Sequence, residues 1–427
     1  MLDRSQSPEI QQIKNLTLPH PELIHLDSGI PVYITNMGTQ DIVKIEVVFN
    51  AGRPFEDKKL VARTTAALLK EGTKNYTSGQ IAEEVDFYGD TLSIPVNLDT
   101  SNVILYSLTK HLDKVLPLLG EVLNSPIFPQ PELSAFVDRS KQKLSVDLTR
   151  NDVVAYRKIT EFIFGKDHPY GYNSAPETYE ALTREDLQAH FKNKYVAENC
   201  SIFISGKVTD SLIKSINKHL GQAILRGKKS VANFKRVQHP PKPVFIPSAE
   251  DSVQTAVRIG CHLYNRTNEE YKGMYVLNTI LGGYFGSRLM ANIREEKGYT
   301  YNIFSTLDSM LFDGCFYVGT EVGNEFVEKT LKEIYHEFDV LQQDLVEEDE
   351  LEMVQNYLLG NVLTSLDGPF NVSDVAKTLI VEGLPLSDFE TLVESIKNIT
   401  AEEIRELARK HLNKETMWEV IVGAEQK

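Results

Sequence analysis

LTREDLQAHFKNKYVAENCSIFISG, residues 182–206, and ITAEEIRELARKHLNKETMWEVIVG, residues 399–423, align without a gap. Each begins with a threonine suited to cap a helix, carries Glu in the first turn, continues as an amphipathic helix and ends in an apolar strand closed by glycine. Thr183 to Thr400 and Gly206 to Gly423 are both 217 positions apart, and PEL at 131–133 faces DEL at 349–351 at an offset of 218. A helix followed by a strand is common, but two matches in register indicate duplication. The chain has 427 residues and a mass of 48.2 kDa, more than one hydrophobic core usually organises, which also calls for two units.

Between Ser211 and Ala249 there is no acidic residue, while Arg226, Lys228, Lys229, Lys235, Arg236 and Lys242 accumulate and Pro240, Pro241, Pro243 and Pro247 follow. This shift in composition divides the chain into a first domain over 1–221, a linker over 222–247 and a second domain over 248–427. In the first, strands are expected at 43–50, 91–98 and 101–108, and helices near 60–71 and 78–89, then from His111 to about Phe164. Strand pairs with helices grouped between them predict an α+β fold: two homologous, largely antiparallel sheets packed with helices and arranged as a clam-like pair.

The formal net charge of -15 disfavours nucleic acid as a partner. Cys200, Cys261 and Cys315 are scattered without a paired spacing, which fits a reducing compartment. The opening MLDRSQSPEI lacks the pattern of a leader, and no apolar run reaches membrane-spanning length. A cytoplasmic protein that does not engage membranes is expected.

Five stretches are similar to the pitrilysin/insulinase family of zinc peptidases, and together they span nearly the whole chain. They are VVFNAGRPFED at 47–57, KEGTKNYTSGQIAEEV at 70–85, HPYGYNSAPETYEALT at 168–183, the repeated helix and strand, and LGGYFGSRLMANIREEKGYTYNIFS at 281–305. Active members carry H-x-x-E-H on the first helix, where two His hold zinc and Glu activates the bound water. Aligned on Gly72-Thr73-Lys74-Asn75, those positions here are Arg63, Ala66 and Ala67. Arginine does not give up its proton to become a ligand, and alanine has no donor atom. The family's third ligand, a Glu expected near 141–144, faces KQKL instead. His336-Glu337 lacks the second His of a zinc motif and reads as a helix-face pair. His168 reads as structural. Lys58, Lys59, Arg63 and Lys70 read as a solvated basic face, with Arg63 alternatively filling the space a zinc ion would take.

The resemblance implies a two-chain peptidase in which a zinc-bearing homologous subunit holds the metal and this chain supplies an arginine and a tyrosine. Those residues are Arg294 and Tyr301, donors suited to gripping a peptide carbonyl. Gly298 would end the helix carrying Arg294, and Tyr301 would lie on the strand that follows. Taken alone, Arg294 also suits an ordinary helix C-terminus and Tyr301 an ordinary strand. Gly282, Gly283 and Gly286 would border the substrate entrance or make a plain turn, with Ser287 and Arg288 capping and anchoring the next helix. The expected function is the non-zinc, substrate-binding subunit of a heterodimeric zinc peptidase acting on peptides or unfolded segments. The other reading is a noncatalytic scaffold or peptide-binding protein of the same fold. No cofactor is expected in this chain.

Overall fold

The computed structural model describes residues 15–236, 239–248 and 252–424. The opening MLDRSQSPEI, on which the leader reading rests, lies outside them, as do residues 237–238 of the proline-rich segment and 249–251 at its end.

The first sheet comprises β1 (Glu22–His25), β2 (Pro31–Asn36), β3 (Ile42–Phe49), β4 (Thr91–Ser93), β5 (Ser101–Leu108) and β6 (Cys200–Gly206). The second comprises β7 (Pro243–Pro247), β8 (Gln254–Leu263), β9 (Ile303–Ser309), β10 (Gly314–Gly323) and β11 (Trp418–Gly423). Their orders are β1-β2-β6-β3-β5-β4 and β7-β11-β8-β10-β9. Without the edge strand β1 the two follow one path. In each, a single parallel pair, β2 with β6 or β7 with β11, sits beside antiparallel neighbours. The chain is thus α+β with two domains of one topology, and the strands closing the two repeats, β6 and β11, hold equivalent places.

The repeated helices begin as their sequences dictate. Thr183 Oγ1 accepts from the Asp186 amide and Thr400 Oγ1 from the Glu403 amide, each at 3.2 Å, and each acidic side chain reaches back to its threonine amide.

Two local expectations change. The strand expected over 91–98 stops at Ser93, leaving only an isolated bridge between Val96 and Ser101, because Pro95 has no N–H to continue a ladder. Residues 243–247, at the end of the basic segment, form β7. It is an edge strand, where proline is tolerated.

The halves exchange helices. Asn151–Phe164, from the first half, packs on β8 and β11, while Gly368–Val381, from the second, packs on β6 and β2. Both sheets are therefore covered on two faces, which explains why β3 is buried at nearly every position rather than at alternate ones. Beneath the second of these helices Lys44 and Glu46, 3% and 1% exposed, form ion pairs with Asp374 and Lys377. Asn102 Nδ2 donates to Glu46 Oε1 at 2.6 Å and completes the set. Two cations face two anions, so the cluster carries no net charge into the core.

Candidate functional site

The helix Val61–Leu68 carries Arg63, Ala66 and Ala67, the positions that the resemblance aligns with a zinc motif. Its start is fixed by two of the quoted stretches meeting. Glu56 Oε2 accepts from the Ala62 amide at 3.1 Å, and Glu56 Oε1 accepts from the Tyr172 hydroxyl at 2.5 Å. Tyr172 in turn accepts from the Leu60 amide at 3.2 Å, and Arg53 lies over its ring at 4.1 Å. Burial raises the Glu56 carboxyl above its ordinary range. Leu60, at φ 71°, holds the left-handed turn that these contacts stabilise.

Along this helix Ala66 is buried and Arg63 and Ala67 are half-buried. The buried Arg63 Nε has no hydrogen-bond partner among the described residues. On the helix Gln130–Asp147, Lys141 pairs with Glu180 across to Pro176–Glu180. No group of three or more His, Cys, Asp or Glu side chains placed to hold a metal occurs among the described residues. Guanidinium and methyl groups at the motif positions do not fit zinc. The neighbouring cations are engaged: Lys58 pairs with Asp186, Lys59 with Asp167, and Lys70 donates to the Leu92 carbonyl.

His168 is 2% exposed and stacks on Phe164; its Nδ1 accepts from the Tyr170 amide at 3.2 Å. Burial lowers its pKa, so it serves as a neutral packing group. Around it, Phe234 of the basic segment packs between His168 and Phe312. Asp99 accepts from the Tyr170 hydroxyl at 2.5 Å and from the Leu311 amide at 3.0 Å, latching the two halves together. His336 is exposed on the helix Val327–Gln343, as read from the sequence.

In the second half the helix Tyr271–Asn278 runs into a π-helical turn, Thr279–Gly283. A Cβ at Gly282 would lie 2.5 Å from the Ser305 amide nitrogen, so glycine lets this turn touch β9. At Gly286 a Cβ would stand 2.8 Å from the Tyr284 ring, whereas Gly283 is only tightly packed, at 3.2 Å from the Asn278 carbonyl oxygen. Arg288 anchors its helix through a two-pronged pair with Glu350, at 2.9 and 2.7 Å. Ser287 does not cap with its side chain: the carbonyl accepts from Ala291 at 2.9 Å, while the buried Oγ has no partner among the described residues.

Arg294 occupies the last turn of the π-helical segment Met290–Glu296, and its guanidinium lies over Phe285. Gly298, at φ 66°, ends the segment in the left-handed conformation expected of it. Tyr301 is not on the following strand, which starts two residues later at Ile303. It sits on the connecting bend, held by Thr300, whose hydroxyl lies 2.7 Å from the Glu321 carbonyl oxygen and accepts from the Asn302 amide at 3.1 Å. The backbone is thus pinned while the phenol is 86% exposed. Among the described residues no hydrogen bond or cation–π contact joins Arg294 to Tyr301, and the Tyr301 hydroxyl makes no hydrogen bond. Two donors are displayed on one fixed helix-to-strand connection.

The sequence reading did not single out Phe285 as the seat of Arg294, although it lies inside the quoted glycine-rich stretch. Nor did it notice Arg258, a charge within the apolar run TAVRIGCHL of β8, which is 7% exposed.

Residues 181–358 match the model of the peptidase M16 inactive domain. A Rickettsia felis protein described as an uncharacterized zinc protease is 25% identical over 391 residues, covering 90% of this chain and 93% of that one. The non-peptidase homolog YmxG of Helicobacter pylori is 23% identical over 394 residues, covering 90% and 89%. In fold, the chain is similar to a crystal structure of a peptidase M16 inactive domain from Pseudomonas fluorescens. The TM-score is 0.88, with 23% identity over 95% of this chain and 98% of that one.

Proposed function

We propose, for a chain whose residues 181–358 match the peptidase M16 inactive domain, the role of the non-zinc, substrate-binding subunit of a two-chain zinc peptidase. The observation that carries this reading is the contrast between the two halves. At the metal positions Arg63, Ala66 and Ala67 offer no ligand, while Arg294 and Tyr301 are held on a fixed backbone with their donor groups available. A guanidinium and a phenol can stabilise charge developing on a peptide carbonyl, but neither supplies the activated water that must attack it, which a bound metal provides. In this proposal a zinc-bearing homologous subunit supplies that metal, and Gly282, Gly283 and Gly286 shape the edge along which the peptide enters.

The test is reconstitution with a zinc-bearing M16 homologue from the same organism, using unfolded peptide as substrate. The pair should cleave where neither subunit does alone, and Tyr301→Phe should lower kcat/KM without weakening assembly. Full activity with both Arg294→Ala and Tyr301→Phe would overturn the proposal and favour the scaffold role.

A further inference from the structure

Beside Tyr301 lies a cavity of about 280 Å³, formed by the second sheet and the start of the helix Asn151–Phe164 that crosses from the first half. Arg258, Asp152, Glu321 and Gln254 also line it. Arg258 is 7% exposed. Its Nη1 donates to the Val257 carbonyl at 3.0 Å and to the Thr320 carbonyl at 3.3 Å. The other edge is unused: Nε is buried without a partner, and Nη2 makes no hydrogen bond among the described residues. Gly319, the cross-strand partner of Arg258, makes room for the guanidinium, since a Cβ there would stand 3.1 Å from its carbon and from Nη1.

Leaving a buried donor unsatisfied is unfavourable, more so when it is charged, so this edge is suited to a ligand. The Nη2–H group, which is not enclosed and shares the guanidinium charge, suits an oxygen of a carboxylate. The helix start adds a second, separate preference for an anion. Arg150 provides no side-chain cap there, leaving first-turn amides without intrahelical partners, and Asn151 Nδ2 pins that turn to the Gln254 carbonyl at 2.9 Å. Two carboxylates oppose an anion. Of these, Asp152 is already paired with Arg150 at 2.9 Å, and burial raises the pKa of Glu321. A singly charged carboxylate suits this balance better than a multiply charged phosphate.

We propose that this cavity binds one carboxylate of the peptide, from an acidic residue or from the peptide's own free terminus, through the free edge of Arg258. The inference deepens the subunit reading and rests on it for the peptide's passage along Tyr301.

The experiment uses three matched peptides: one with a free C-terminus and neutral side chains, one amidated, and one amidated with a single Gln→Glu change. Fluorescence anisotropy on the full-length protein should show one or both carboxylate peptides binding at least about tenfold more tightly than the neutral one, as a charge-assisted pair implies. Which of them gains tells acidic residue from terminus. Arg258→Gln should abolish the preference, and Arg258→Lys should restore only part of it. Should Arg258→Gln fail to fold, Asp152→Asn serves instead and should tighten carboxylate binding severalfold. Equal binding of all three peptides, or a preference that survives Arg258→Gln, overturns the inference. Tyr301-dependent cleavage by the reconstituted pair without any carboxylate preference sinks this inference alone. A carboxylate preference in a protein that never supports cleavage sinks the subunit reading and leaves the site.

Discussion

The Arg294 guanidinium carbon stands 4.7 Å from the centroid of the Phe285 ring, a cation held by a π-face rather than by an acid. Such a seat orients the side chain without neutralising it and leaves the N–H groups for a ligand. At an exposed site the contact contributes about 0.5–1 kcal/mol. Phe285→Leu should therefore lower kcat/KM of the reconstituted pair by only about two- to fivefold. Arg294→Ala removes a preorganised donor and should cost about a hundredfold. Equal losses would mean that Phe285 meets the substrate itself.

Purified from zinc-supplemented medium, the protein should carry far less than one zinc per molecule by elemental analysis. The reason is the donor set: a guanidinium at 63 and methyl groups at 66 and 67 replace imidazoles and a carboxylate. A stoichiometric zinc that is lost on altering the helix Val61–Leu68 would contradict this.

What the sequence disclosed was local or repeated. The capping threonines, the alternation of helices with apolar strands and the 217-residue spacing led to the domain pair, because helix starts and strand periods are written in adjacent residues. The exchange of helices was hidden, since nothing in NDVVAYRKITEFIF says which sheet it will cover. Tyr301 was placed one element too late because its bend is set by Thr300 reaching Glu321, a contact between segments distant in the chain. Arg258 went unread for the same reason: its meaning depends on Gly319 of the neighbouring strand.

Glu46 is the most enclosed member of the ion cluster joining the halves, contacted by Lys44, Lys377 and Asn102. Removing its charge leaves the buried Lys44 and the half-buried Lys377 with Asp374 as their shared anion. Glu46→Gln should lower unfolding free energy by about 3–5 kcal/mol. By contrast, breaking the exposed Lys207–Asp41 pair with Lys207→Ala should cost less than about 1 kcal/mol. Urea titration of both variants decides the matter, and similar small losses would show that water reaches Glu46 after all.

His190, on the first repeated helix, should make the fold acid-sensitive. Its Nε2 donates to the Ala51 carbonyl at 3.0 Å, tying that helix to the NAG turn after β3, while Nδ1 is buried without a partner among the described residues. Protonating Nδ1 would place a charge where nothing accepts it, and burial accordingly pulls the pKa from 6.5 down to about 4. A folded-state pKa below the unfolded one means that the unfolded protein binds the proton first. The contribution is thus complete above about pH 6.5 and is lost as pH falls through about 4. At 1.36 kcal/mol per unit it amounts to on the order of 3 kcal/mol. His190→Gln keeps a donor for Ala51 but does not titrate. The stability of the wild type minus that of the variant, measured by urea unfolding between pH 7.5 and 4, should decline by about this amount, because groups shared by both proteins cancel. A difference that stays constant with pH would mean that His190 takes up its proton as readily in the folded state as in the unfolded one.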